Sequence, residues 1–280
     1  MVCGGCGHEP SSPTAAGNRA TNIRIVSLSP GVTSSITALG AGDRLVGRTP
    51  WCQSASAVPI VGTLLDLDAE ALVAVHPTLV ILQPPAQGEP AALGRLVAQH
   101  GWRVERFRID SLADVLAVID RLPAVICDPL TPGDCDGITA RAVEIRQSML
   151  SALDPIVGAS GAGRTLVALV GSEGADVMGF GEGSYIGDAL ARMGIANALT
   201  RSGYPALGAE DLVKLAPDTV IIIASRPSGA SEQMRSILGK STIVRIEAPE
   251  LLQPGAGMIS GLIQLRAALI DACAHQTIGP

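Results

Sequence analysis

Two stretches far apart in the chain carry one pattern: DAEALVAVHPTLVIL from Asp68 and GAEDLVKLAPDTVIII from Gly208. In each, a Glu (Glu70, Glu210) stands seven residues ahead of a Pro (Pro77, Pro217), and an apolar run follows at once. A helix that stops short of the proline, whose preceding residue disfavours αR, and then a buried strand satisfies both copies. Between them, residues 134–154 read as one unbroken helix, with Ile138, Ala142, Ile145, Met149 and Leu153 forming an apolar stripe. Asp134 or Asp136 serves as its N-cap, and Pro155 with Gly158 ends it. About 20 residues at 1.5 Å each make a rod of roughly 30 Å. The pattern predicts two similar halves joined by a strut.

The rest of the chain fits that frame. Short β runs alternate with helical stretches of 8–12 residues, the signature of a parallel sheet in an α/β lobe. In the first half the strands are Ile23–Leu28, Leu45–Gly47, Val58–Val61, Leu79–Leu82 and Val104–Arg108, with helices over Thr33–Leu39, Leu67–Val75, Ala91–His100 and Leu112–Leu122. In the second half, strands fall at Thr165–Val170, Thr219–Ala224 and Ile243–Ile246. Its helices fall at Ile186–Met193, Ala209–Leu215, Glu232–Leu238 and Met258–Cys273, and Gly171–Gly183 reads as a Gly-rich loop. The expected fold is α/β, two Rossmann-like lobes with parallel sheets joined by one long helix and a ligand cleft between them. The boundaries are a leader at 1–22, an N-terminal lobe at 23–132, the helix at 133–157 and a C-terminal lobe at 158–280. Loops at the carboxyl ends of the strands line the cleft.

Composition narrows the function. With 280 residues, the chain is at the size where one core tends to split. A net charge of −6 leaves no basic surplus for a nucleic-acid partner. No apolar run approaches the roughly 20 residues that span a bilayer. Trp, Tyr and Phe occur twice each, so few side chains are available to stack on a flat ligand. Cys3 and Cys6 form one isolated CxxC without the second pair that zinc needs. Cys127 and Cys135 flank a turn-rich loop, which leaves two readings open, a disulfide or a pair of thiols. Residues 1–22 are rich in Gly, Ser, Pro and Thr, with no basic n-region or apolar h-region. They read either as a flexible tail or as the start of a mature lipoprotein, with Cys3 as the lipidated residue.

In order and spacing, RIVSLSPGVTSSITALGAGDRLVGRTPWC, VGTLLDLDAEALVAVHPTLVIL, GEGSYIGDALARMGIANAL and ALGAEDLVKLAPDTVIII resemble the helical-backbone (class III) periplasmic substrate-binding proteins of ABC importers, cobalamin and ferric-siderophore type. The similarity covers about residues 23–275. It implies a monomer that binds a small-molecule ligand, a cobalamin-like corrinoid or else a ferric siderophore or haem, and works outside the inner membrane. No covalently held cofactor and no protein-bound metal are expected. It also implies that Glu70 and Glu210 dock on arginines of the permease; surface ion pairs worth ~0–1 kcal/mol set orientation rather than affinity. Trp51 and Tyr204 match aromatic positions of the corrinoid-binding branch, where they would sandwich a macrocycle. Leu64 and Gln83 stand where that branch tends to carry further Trp. Ser29, Pro30 and Gly31 would turn a helix start towards the ligand, and Arg48, Phe180, Ser184, Tyr185 and Arg226 complete the candidate ligand set. Trp102, beside a helix end, is assigned to packing.

Enzymatic readings fare worse. GFGEGS at 179–184 does not directly follow its strand and lacks the third Gly spacing of a dinucleotide loop. No GxSxG nucleophile elbow occurs. Four scattered histidines, His8, His76, His100 and His275, make neither a catalytic constellation nor a metal-carrier site. A soluble corrinoid carrier or sensor without a transporter is the remaining alternative; the Glu pair argues against it. Because one stiff helix permits less hinge closure than flexible crossovers would, only small lobe movement is expected on binding.

Overall fold

The computed structural model describes residues 23–127, 133, 135–170, 177–224 and 230–276. Cys3, Arg226 and the Asp134 cap lie outside them.

The first lobe is built on β1 (Ile25–Ser27), α1 (Pro30–Ala38), β2 (Leu45–Arg48), α2 (Ala69–Ala74), β3 (Leu79–Leu82), α3 (Ala91–His100), β4 (Arg103–Arg106) and α4 (Leu112–Ile126). Its sheet runs β2-β1-β3-β4, parallel throughout. The strand predicted at Val58–Val61 reduces to one bridge, Arg48 to Ile60. The long helix α5 (Asp136–Ala152) follows, its N-cap residue being Cys135. The second lobe contains β5 (Arg164–Val170), β6 (Val177–Gly179), α6 (Tyr185–Arg192), β7 (Ala196–Asn197), β8 (Ala206–Leu207), α7 (Ala209–Leu215), β9 (Thr219–Ile223), α8 (Ala230–Ile237), β10 (Thr242–Ile246) and α9 (Ile259–Gln276). Its sheet order is β10-β9-β5-β6-β8, with β7 paired to β5. β10, β9, β5 and β7 are parallel, whereas β6 and β8 add an antiparallel edge. β6 occupies part of the stretch expected to be a Gly-rich loop.

Period-two alternation in the strands sorts side chains between cores. Ile25, Leu79 and Ile81 of the first sheet, and Val167, Ile221 and Ile223 of the second, all enter one core. Their neighbours Val26, Val80 and Leu82 face a separate cluster closed by Leu72, Leu93 and Trp102. On the far side of the second sheet, Leu166, Val220 and Ile222 pack with Leu212 and Met234. The shared middle core also takes in Ile138, Ala142, Met149 and Leu153 from the strut and Leu262, Leu265 and Leu269 from α9. Thus the stripe expected on the strut is buried apart from half-buried Ile145, and what it packs against belongs to both lobes. Ala256–Ala274 does reach the length and hydropathy of a membrane-crossing helix, contrary to the expectation from sequence, and half of it is buried: Leu262, Leu265 and Leu269 are enclosed in this core, whereas Ile263 and Ile270 are exposed.

Two seams join the lobes. On one, Leu112 N–H donates to Asp188 Oδ2 at 3.0 Å and the Tyr204 hydroxyl donates to the Asp110 carbonyl at 2.7 Å. On the other, α1 lies against residues 253–258: Ala256 N–H donates to Ser35 Oγ at 2.9 Å. A Cβ on Gly31 would lie 2.0 Å from the Pro254 carbonyl oxygen, so only glycine permits this approach. No disulfide joins Cys127 to Cys135 in the structure, in keeping with the thiol reading of the two that their spacing left open.

Candidate functional site

Every strand of the first sheet delivers a loop to one open groove at the sheet's carboxyl edge. Leu28, Ser29 and Pro30 follow β1, Trp51 follows β2, Gln83, Pro84, Pro85 and Ala86 follow β3, and Asp110 follows β4. Thr63, Leu64 and Leu65, ahead of α2, complete the described lining. The groove has a volume of about 530 Å³. Because the chain leaves β1 to one side for β2 and returns past it to β3, the β1–β3 gap is the point where strand order reverses, the usual position for a ligand in an open α/β sheet. Trp51 is 67% exposed there, beside exposed Leu65 and buried Leu64.

Local chemistry explains the shape. Pro30 is the first residue of α1, and Ser29 caps it in extended conformation without a side-chain cap bond. Ser29 and Pro30 therefore place the start of α1 in the groove wall, while the Thr33 N–H turns back to the Ser29 carbonyl at 2.9 Å. Arg48 is buried and its guanidinium donates to the carbonyls of Val58, Thr49 and Ser56. It fastens the loop that carries Trp51. Cys52, fully buried, sits 3.1 Å from both Thr33 Oγ1 and Thr49 Oγ1 and ties the loop down onto α1. Gln83 donates to the Ile109 carbonyl at 3.4 Å, bracing the β3 loop against the β4 loop. Asp110, the one charged side chain among the described lining residues, is ion-paired with exposed Arg108.

Of the residues expected to touch ligand, Ser29, Pro30, Trp51, Leu64 and Gln83 line the groove together. Others have different work. Arg48 spends its donors on the loop, and Gly31 is spent on the contact with Pro254. Ser184 caps α6, accepting from Gly187 N–H and donating to the Gly181 carbonyl. Phe180 is fully buried, and Tyr185, nearly so, donates to the Leu251 carbonyl at 2.8 Å. Tyr204 is half-buried, edge-on to Phe180 with ring centroids 5.8 Å apart. It meets the groove only through Asp110, not as an open stacking face. Burial pushes its phenol up to about 12, and burial pushes Tyr185 higher still. The sequence missed Leu28, Thr63, Leu65, the Pro84–Ala86 turn and Asp110, although each directly follows a strand or precedes α2. Arg226 lies outside the described residues.

Glu70 and Glu210 are both exposed and sit in the first turns of α2 and α7. Each of these helices leads into a parallel strand, β3 or β9, so each begins at the carboxyl edge of its sheet. The two carboxylates therefore stand on rims of the same kind. They are not equivalent: Lys214 Nζ lies 3.7 Å from Glu210, whereas Glu70 is followed on its own short helix by Ala71, Leu72, Val73 and Ala74. His76 and His100 close α2 and α3, at the amino edge away from the groove, and His100 stacks on Trp102 at 4.9 Å, as the packing role assigned to that Trp requires.

No protein-family model matches the chain, and no curated protein matches it. Solved structures do. The periplasmic haem-binding protein RhuT from Roseiflexus sp. RS-1 matches at 21% identity and a TM-score of 0.68, over 90% of this chain and 99% of that one. A periplasmic haem-binding protein from Pseudomonas aeruginosa matches at 23% identity and TM-score 0.69, over 89% and 92%. The periplasmic vitamin B12-binding protein BtuF of Vibrio cholerae matches at 17% identity and TM-score 0.67, over 91% and 98%. The fold is that of the two-lobed periplasmic binding proteins, as the resemblance in the sequence implied.

Proposed function

We propose that this chain is the substrate-binding component of an ABC importer, that its ligand is a cobalamin-like corrinoid, and that it works outside the inner membrane. One observation carries the choice of ligand: the character of the groove lining around Trp51. A corrin ring offers an extended face to Trp51, Leu64, Leu65 and Pro84, and its amide arms suit the polar side chains of Gln83 and Ser29. Haem iron is held by His, Tyr, Cys or Met, and the described lining residues include none of these. Asp110 is the one charged side chain among the described lining residues and is already paired with Arg108, so this wall has no net positive charge to offer haem propionates or an anionic ferric chelate. A corrinoid brings its own axial ligands and needs neither. The presence of a vitamin B12 binder among the structural neighbours fits this choice, although haem binders stand there too.

Delivery follows from the rims. A partner permease that offers a basic residue opposite each of Glu70 and Glu210 would seat the protein groove-first, with the ligand facing the membrane.

The test is titration of the purified protein with cyanocobalamin, haemin and a ferric hydroxamate, followed by calorimetry and tryptophan emission. Saturable binding of cyanocobalamin alone is expected. Binding of haemin or the hydroxamate without cyanocobalamin would overturn the corrinoid assignment, and no response to any of them would overturn the capture role.

A further inference from the structure

The loop over residues 49–58 is held from two sides within its own lobe, by the Arg48 guanidinium and by the contact of Cys52 with Thr33. One further bond comes from the other lobe: Gln253 Nε2 donates to the carbonyl of Trp51 at 3.3 Å. Gln253 does not hang on a mobile tether. Its neighbour Pro254 touches the backbone of Gly31, a Cβ on Gly255 would meet the Gly31 carbonyl oxygen at 2.1 Å, and Ala256 is bonded to Ser35. The donor is thus fixed relative to α1, and α1 opens on the groove.

From this we infer that Gln253 is a positioning residue for Trp51: the second lobe sets the direction in which the first lobe's aromatic faces the ligand. The bond falls on the backbone carbonyl of Trp51 itself, so it constrains the peptide plane from which the exposed indole projects. Losing it leaves the loop folded, because Arg48 and Cys52 still hold it, but lets the indole range over more directions. Binding then requires that range to be narrowed again, which weakens affinity without removing any ligand contact.

The inference rests on the groove reading above, and its test separates the two. In a Trp102→Phe background Trp51 is the only tryptophan, so its emission reports its own freedom without ligand. Gln253→Leu, which has no donor, is expected to lower the anisotropy of Trp51, increase its quenching by iodide, and weaken cyanocobalamin binding by roughly 2- to 10-fold, the scale of one neutral hydrogen bond. Gln253→Arg, which keeps an N–H donor on a long side chain, is expected to restore all three. Unchanged Trp51 emission in Gln253→Leu, or failure of Gln253→Arg to restore it, would overturn the inference. Should the parent protein bind no cyanocobalamin, the corrinoid assignment fails while the emission measurements still decide the role of Gln253.

Discussion

The hydroxyl of Tyr204, in the second lobe, donates to the backbone carbonyl of Asp110, in the first, at 2.7 Å. Asp110 also lines the groove, so an inter-lobe bond and a ligand wall meet at one residue. Tyr204→Phe keeps the ring packed on Phe180 and removes only the donor. It is expected to destabilise the protein by about 0.5–1.5 kcal/mol, measured by denaturant unfolding, while leaving ligand affinity within a few-fold.

The same burial predicts a titration. The chain has two tyrosines, and burial raises both above the ordinary 10.0, Tyr204 to about 12. A phenol whose folded pKa is raised favours the folded state fully below the unfolded value near 10, and that contribution fades as pH climbs through about 12. Native protein is expected to show little tyrosinate absorbance at pH 10, where denatured chain is half ionised. Equal absorbance in the two states would mean that neither ring is shielded.

Gly31→Ala is a sharper test of the second seam. The added Cβ has no room in front of the Pro254 carbonyl, a backbone atom that cannot rotate aside. Loss of roughly 1–3 kcal/mol of stability is expected, the usual cost of an overpacked site. Thermal unfolding of the variant reads it directly, and a stability equal to the parent's would show that α1 and residues 253–255 separate freely.

Trp51→Ala is expected to do the opposite. With 67% of the residue exposed, its removal should change stability by no more than about 0.5 kcal/mol. Cyanocobalamin affinity should fall about tenfold or more, since stacking and apolar contact are lost together. Arg48→Ala, by contrast, should cost both stability and affinity, because Arg48 holds the loop and does not line the groove.

Glu70→Ala combined with Glu210→Ala should leave ligand affinity unchanged and abolish ligand uptake in cells that carry the partner permease. Uptake at the parent rate in the double variant would remove these two carboxylates from the docking surface.

Much of this was legible in advance because apolar periodicity and proline placement are local signals. Leu79–Leu82, Ala91–His100 and Ala209–Leu215 have the bounds that such signals dictate. The groove was legible in part: Ser29, Trp51 and Gln83 sit in the loops after β1, β2 and β3, yet Leu28, Pro84 and Asp110 in loops of the same kind were missed. It was illegible where a long side chain chooses among partners. Nothing in the order of residues says that Arg48 turns back onto three loop carbonyls. Nor does it say that Phe180 and Tyr185, conspicuous in a chain poor in aromatics, are spent on the interior. The antiparallel β6 and β8 escaped for a related reason. A three-residue and a two-residue strand carry too little periodicity to be distinguished from loop.

The middle core that both halves share has a consequence for how the molecule comes into being. Ile25, Val32 and Ile36, among the first described residues, rest in the same apolar mass as Leu262, Leu265 and Leu269 of α9. The amino-terminal half emerging from the ribosome can close the cluster around Leu72, Leu93 and Trp102 by itself, but the other face of its sheet stays open until α9 has been made. Heating should melt the two halves as one event, and a chain cut before its last helix should clump rather than survive as a half-sized protein.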